Sequence, residues 1–436
     1  MGEKGCQDNF LSLHRSHRYN IIHCNKGVLN LKATGIVVEY NPFHNGHKFH
    51  AAEAKNRTNA DVVIAVMSGN FLQRGEPAFI DKWARTRMAL QNGVDLTFEL
   101  PYAFATAHAP KFAKAAIQIL DAARCHSFCF GSEDGDIHPF ANSIELIEQA
   151  GNNYEQTVKD AMIRGLSYPK ALNEAYTTAI QFSDSDMPVA DLTKPNNILG
   201  FHYMQSALDI SSTMEAVTIP RIGAGYHDDA EEHNPIASAT GIRKSFFESN
   251  TLNSIRNFFP EETHERLMEW QSNHQSFGSW ASFYPLLRFT ILREGPDSLA
   301  GIADVREGIE NLFYRAAASN DTFDGFMYQV KSKRYTWTNI QRMLTHIFTR
   351  FTYDIRAQIN SPSYLRLLGM TQTGRLYLNQ NKKELKLPLV SKASAFSNPS
   401  LNMDIHAANM YALGIAQGTN KSIIGSDFTN PPIFIK

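Results

Sequence analysis

The chain has 436 residues, 43% hydrophobic and 19% charged, with 42 Lys plus Arg against 43 Asp plus Glu. This length exceeds one ordinary core and suits two or three domains, and the composition excludes a disordered or collagen-like protein. Near-zero net charge points to no class of partner, no apolar run approaches the roughly 18 residues of a membrane span, and four cysteines are too few for a disulfide scaffold, which fits a soluble protein of the reducing cytoplasm.

Residues 1–31 lack periodicity and the apolar segment of a secretory signal. They are expected to be a flexible extension, or the product of a start assigned upstream of Leu31. From residue 34 short β-branched runs alternate with helical patterns. The spacing predicts strands at Gly35–Glu39, Asp61–Met67, Val94–Glu99 and Ser127–Phe130, and helices at Gly46–Arg57, Phe79–Gln91 and Pro110–Ala122. Three such crossovers predict an α/β, Rossmann-like parallel sheet, with ligands beyond the carboxyl ends of its strands. Cys125 and Cys129 flank His126, but on a strand their sulfurs stand about 13 Å apart at roughly 3.3 Å per residue. They read as buried thiols, and no metal site is predicted.

Helical patterns follow at Ser143–Ala150, Tyr154–Ile163 and Asn197–Leu208, then a strand at Glu215–Pro220. Past residue 245 the pattern is almost wholly helical, as at Leu286–Leu292 and Trp337–Phe351. The domain reading is therefore an ATP-binding α/β domain over 32–245 and a mostly α-helical domain over 246–436. Between Lys331 and Lys392 twelve Lys and Arg face two acids, a local charge of plus ten. Tyr335, Trp337, Tyr353 and Tyr364 are interleaved with them. Such a field suits a phosphate backbone with stacked bases; the alternative is a solvated helical face whose aromatics belong to the core.

The most informative stretch is Glu39, Tyr40, Asn41, Pro42, Phe43, His44, Asn45, Gly46 and His47, where the first strand turns into the first helix. A helix start there offers free amides and a positive dipole end to phosphates. Two imidazoles on one face, protonated or hydrogen-bonding, suit charge stabilisation as an α-phosphorus is attacked. Gly46 would let a nucleotide approach the backbone. The alternative for His44 and His47 is a polar helix start.

A second segment, Ile236–Lys244, carries Ser238 and Thr240 ahead of Arg243 and Lys244, a helix cap followed by cations for β and γ charge. Gly131, Ser132 and Glu133 end the fourth strand. Asn196 and Asn197 follow Pro195, either as a helix cap or as nucleotide contacts. Arg221 follows the last predicted strand, within Pro220–Asp228, and suits a phosphate or adenylate. The loop Ser68–Glu76 follows the second strand and is expected to close over a substrate.

The H-x-G-H arrangement paired with the Ser/Thr–Arg segment resembles the nucleotidyltransferase superfamily. More narrowly, the chain resembles the bacterial tRNA(Met) cytidine acetate ligase family. The likeness runs through Gly35–His50, Ala65–Trp83, Asp95–Pro101, Phe130–Glu133, Lys194–Gly200, Arg221–Asp228, Ser238–Lys244, Arg342–His346 and Pro362–Gly369. It implies that acetate attacks the α-phosphate of ATP to give acetyl-adenylate, with Mg2+ as a companion of ATP, and that the acetyl group passes to the wobble cytidine of elongator tRNA(Met), giving N4-acetylcytidine.

The same resemblance implies ATP contacts at Val37, Val38, Glu39, Tyr40, Asn41, Pro42, Phe43, His44, Asn45, Gly46, His47, Lys48, Phe49 and His50. Gly131, one of Asn196 or Asn197, and Arg221 complete that set. His44, His47 and Arg243 are the catalytic candidates. Lys333, Arg334 and Arg342 are the tRNA-binding candidates. No membrane or protein partner is implied. Two rival readings stay open: a cofactor adenylyltransferase acting on a small phosphate ester, which leaves the helical half without a task, and a non-catalytic RNA-binding protein, against which the intact His44, Gly46, His47 and Arg243 argue.

Overall fold

The computed structural model describes residues 30–166, 168–182, 187–221, 236–332, 334–416 and 422–436. Residues 1–29, with most of the expected extension, lie outside this set, as do Ile222–Asp228 and Lys333. The parallel core forms from β1 (Ala33–Val38), β2 (Val62–Ser68), β3 (Leu96–Leu100), β4 (Ser127–Ser132) and β5 (Glu215–Pro220). Their spatial order is β5-β4-β1-β2-β3. β2 and β3 are buried at every residue, as expected for strands covered on both faces.

Helices α1 (Asn45–Arg57), α2 (Lys82–Gln91) and α3 (Ala109–Ala122) make the first three crossovers. α3 buries Phe112, Ala116, Ile119 and Leu120 on one stripe and packs against α5 (Pro195–Asp209). Between them in sequence, α4 (His138–Ile163) unites the two predicted helices across a kink at Gly151. The chain direction reverses in strand order between β1 and β4, so their carboxyl ends, at Glu39 and Gly131, flank the crevice where this architecture binds ligands.

Beyond α6 (Ala239–Ser249) come α7 (Trp280–Leu299), α8 (Ile309–Ser319), α9 (Trp337–Phe348) and α10 (Pro399–Ile415). The expectation that this half is almost wholly helical needs correction. β6 (Leu365–Thr371) pairs antiparallel with β3, and β7 (Leu389–Val390) and β8 (Ile433–Ile435) pair with β6, all in the same sheet. Leu31–Lys436 is one compact unit.

Polar groups deep in the core make the join. The Asp95 carboxylate accepts from Val63 N at 3.0 Å and Thr371 Oγ1 at 2.7 Å, tying β2 and β3 to the end of β6. The fully buried Lys82 ammonium reaches Glu99 at 2.7 Å and Asp427 at 2.8 Å. Removing one partner of such a network strands a buried charge, a loss of about 3–5 kcal/mol. No helix among the described residues is long and apolar enough to cross a membrane.

Candidate active site

β1 runs into Tyr40, whose φ is 52°, and a cis Asn41–Pro42 bond, after which His44 caps α1. The cap is reciprocal. His44 Nδ1 accepts from Gly46 N at 3.1 Å, and His47 Nδ1 accepts from His44 N at 3.3 Å. Each ring therefore spends its Nδ1 lone pair on backbone, which assigns the proton of the neutral imidazole to Nε2. The two rings stack at 3.7 Å between centroids, and Tyr40 packs edge-on to His47 at 4.9 Å.

Burial, followed by the charges of Arg221 and Arg243, holds the pKa of His44 down to about 3. Burial and the neighbouring His44 hold His47 well below its ordinary value. His50, one turn on, is lowered to about 4, again chiefly by burial. The site is thus built from neutral imidazoles whose Nε2–H groups are donors, so of the two roles expected for them hydrogen bonding is the one this geometry provides. Gly46 also serves the cap: a Cβ there would stand 2.9 Å from His44 Cε1, so the absent side chain leaves room for the capping ring.

Arg243 enters from the first turns of α6, which Ser238 caps by accepting from Gly241 N at 3.0 Å. Its guanidinium donates to Asn41 O at 2.9 Å, Ala239 O at 3.2 Å and Glu76 Oε2 at 2.9 Å. It links the histidine turn, α6 and the Ser68–Glu76 loop. Arg221 follows β5, its N–H donating to Ser132 O at 3.0 Å. A Cβ on Gly131 would stand 3.3 Å from Arg221 Cγ, so glycine lets the arginine stem lie across the end of β4.

Asn196 and Asn197 separate cleanly. The Asn197 carboxamide accepts from Glu133 N and donates to Asp191 O, each at 3.1 Å, and the residue is buried. Asn196 donates to Glu133 Oε1 at 2.9 Å and faces the cavity.

One cavity of about 1660 Å³ gathers most of these groups. Val37, Val38, Glu39, Tyr40, Asn41, His44, Gly46, His47, Phe49, His50, Gly131, Asn196, Arg221 and Arg243 line it; Pro42, Phe43, Asn45, Lys48 and Asn197 do not. Phe43 is core, Lys48 points to solvent, and Asn45 donates to Asn257 O at 3.0 Å. Arg334 and Arg342 line the same cavity from the C-terminal half, with Arg306, Asp304, Glu307 and His108 beside them.

The Ser68–Glu76 loop is wedged between the halves. Gln73 N donates to Glu39 Oε1 at 2.8 Å on one side; on the other, Gly75 O accepts from Trp280 Nε1 at 2.7 Å and Thr345 Oγ1 at 2.9 Å. Gly75 itself has a φ of +73° and touches the backbone of α9.

Several groups here escaped sequence reasoning. Arg85 is fully buried and donates to Glu39 O at 2.7 Å, Ser68 O at 3.0 Å and Gly69 O, fixing the two strand ends that carry the site. A lone arginine inside a helical pattern gives no such signal. The basic tally also changes in meaning. Arg366 and Tyr364 are fully buried, Tyr364 donating to Asp404, whereas Trp337 is exposed. Cys125 and Cys129 are buried free thiols, the latter pushed up to about 12 by burial. No group of three or more His, Cys, Asp and Glu among the described residues is arranged to hold a metal ion.

Residues 31–423 match the HIGH Nucleotidyl Transferase family. The chain is 50% identical over 403 residues to the tRNA(Met) cytidine acetate ligase of Lysinibacillus sphaericus, covering 92% of this chain and 100% of that protein. It is 41% identical over 411 residues to the enzyme of the same name from Bacillus subtilis, covering 92% and 97%. The crystal structure of Thermotoga maritima TmcAL bound with alpha-thio ATP superposes with a TM-score of 0.83 at 32% identity, over 93% of this chain and 100% of that one. Coverage and identity of this extent, on a chain whose paired histidines and Arg243 meet in one cavity, show that it belongs to the HIGH nucleotidyl transferases and, within them, to the tRNA(Met) cytidine acetate ligase family.

Proposed function

We propose that this chain is a cytoplasmic ATP-dependent ligase that activates acetate as acetyl-adenylate and acetylates N4 of the wobble cytidine of elongator tRNA(Met). The observation that carries the reading is the pair of neutral imidazoles, His44 and His47, with Nε2–H groups available at the rim of a cavity that also receives Arg221 and Arg243. An acetate oxygen attacks the α-phosphorus, the bond to the bridging oxygen breaks, and pyrophosphate leaves. Such a displacement needs positioning and charge stabilisation rather than a protein nucleophile. His44 and His47 donate to the phosphate oxygens on which charge develops. Arg243 exchanges Glu76 for the departing β and γ phosphates, and Arg221 holds the adenylate. Of the two asparagines, Asn196, which faces the cavity, is the one we assign to the nucleotide, since Asn197 staples Glu133 to Asp191. Mg2+ arrives as the counterion of the triphosphate.

The amine of cytosine then attacks the acetyl carbon, AMP leaves, and the amine gives up one proton. We assign the tRNA to the helical half, where Arg334, Arg342 and the exposed Trp337 present cations and a stacking surface. Lys333 belongs to the same assignment. A cofactor adenylyltransferase would have no use for a cavity that continues to Arg334 and Arg342.

Incubating the protein with ATP, labelled acetate and unmodified elongator tRNA(Met), beside a His47→Ala variant, tests the proposal by mass spectrometry of digested nucleosides. Labelled N4-acetylcytidine from the wild type alone is the expected result. Adenylate without labelled RNA would discard the tRNA acceptor. Charge reversal at Lys333 and Arg334 is expected to weaken tRNA binding and spare acetate-dependent adenylate formation; equal loss of both would sink the RNA assignment.

A further inference from the structure

The part of the cavity wall contributed by the C-terminal half holds a carboxylate that the chemistry above leaves without a task. Asp304 sits in a tight turn after α7 and is one of the residues with a positive φ, 66°. Its turn is pinned on both sides: Ala303 N donates to Phe351 O at 2.9 Å, and Tyr353 OH donates to Val305 O at 3.2 Å. A non-glycine residue in this conformation persists only where its surroundings over-determine it.

The side chain is fixed as firmly as the backbone. Arg356 Nη1 donates to Asp304 Oδ1 at 2.6 Å, and His346 Nε2 lies 3.5 Å from Oδ2. His346 is buried and is itself held 3.2 Å from the Tyr102 hydroxyl. A carboxylate has about four acceptor positions, so these two contacts leave capacity, and the side chain keeps 39% of its surface exposed at the cavity. Burial pulls its pKa up, but the hydrogen bond from His346 and the hydrogen bond and charge of Arg356 outweigh it and hold the carboxylate well below its ordinary range. Asp304 is therefore an acceptor and no donor, and it takes no proton in the reaction.

Arg342 lines the same wall within electrostatic reach of Asp304. Among the described residues its guanidinium makes no hydrogen bond or ion pair, so the donors of the side chain are available to a ligand. Together the two side chains present one acceptor beside a group of donors. Cytosine offers a complementary edge, an exocyclic amine donor followed by two acceptors at N3 and O2. Uracil replaces the amine by a carbonyl, which an ionised carboxylate repels, and places a donor at N3 against the guanidinium.

We infer that Asp304, with Arg342 beside it, is the specificity determinant that seats the acceptor base, the carboxylate accepting from the exocyclic amine of cytosine. The inference rests on the acetate-ligase reading above. It makes Asp304 a positioning residue: it directs one N–H away so that the amine nitrogen faces the adenylate.

The test is equilibrium binding of two elongator tRNA(Met) transcripts, one with cytidine and one with uridine at the wobble position, to the wild type, Asp304→Asn and Asp304→Glu. Acetate-dependent ATP–pyrophosphate exchange, which needs no RNA, is measured on the same preparations. The wild type is expected to prefer the cytidine transcript by about tenfold or more, the scale of one good base-edge contact. In Asp304→Asn, whose amide both donates and accepts, the preference should collapse through a gain for the uridine transcript, while Asp304→Glu retains it. An Asn variant that binds both transcripts more weakly in an unchanged ratio would overturn the inference and leave Asp304 a staple of its turn. So would a wild type that does not discriminate. Absence of exchange in the wild type would instead count against the activation step, and the transcript ratio would still judge Asp304.

Discussion

The proposed mechanism gives His44 a task on each ring nitrogen, and substitution can separate the two. Nδ1 caps α1 by accepting from Gly46 N at 3.1 Å, and Nε2 carries the donor assigned to the α-phosphate. Asparagine is among the best N-cap residues, so His44→Asn keeps the cap, whereas His44→Ala removes it at a further loss of about 1 kcal/mol of stability. Neither keeps the Nε2–H. A preorganised donor in a buried site is worth about 3–4 kcal/mol in the transition state, roughly 10²- to 10³-fold in rate. Both variants should therefore lose that factor in acetate-dependent ATP–pyrophosphate exchange, with ATP binding reduced far less, while urea melts distinguish them by the cap alone. If the Asn variant retained exchange within about threefold of the wild type, less than 1 kcal/mol, the imidazole would be a cap and nothing more.

Three further outcomes are expected. Gly75→Ala combines a φ of +73° with a Cβ placed 2.2 Å from the Arg342 backbone nitrogen, so it should destabilise by about 2 kcal/mol or more, seen as a lowered urea midpoint; a midpoint equal to the wild type would show that the loop is free to move away from α9. Arg243→Lys replaces a planar fork spanning Asn41 O, Ala239 O and Glu76 by a single ammonium, and should lower exchange by about tenfold or more; full activity would reduce the role of Arg243 to its charge. His202, buried on α5, has its pKa held at about 4 against the usual 6.5. The unfolded chain thus takes up a proton first as pH falls, and the stability His202 contributes is complete above pH 6.5 and is lost toward pH 4. Between pH 7.5 and 5.5 the wild type should lose about 1.4 kcal/mol more than His202→Gln, measured by denaturant melts, and parallel losses would refute the assignment.

Local pattern determined much of this protein. Period and punctuation located β1 to β5 and the helices α1, α2, α3 and α5 to within three residues, because buried parallel strands and amphipathic crossovers write their burial into consecutive positions, whereas α4 begins five residues before the predicted Ser143. The paired histidines, the Ser238–Arg243 segment and Gly131 were legible because this chemistry needs particular side chains at the ends of particular strands. Tertiary structure decided what sequence distance conceals. β6 carries a buried Arg366 next to its start, and its partner β3 lies some 270 residues upstream, so only long-range pairing gives it meaning. The neutral state of His44 follows from burial and two arginines brought from distant elements. Which asparagine faces the cavity, Asn196 and not Asn197, depends on where Glu133 and Asp191 point. Asp304 gave no signal at all, since its place in the cavity wall exists only once the C-terminal half has packed against the loop that follows β2.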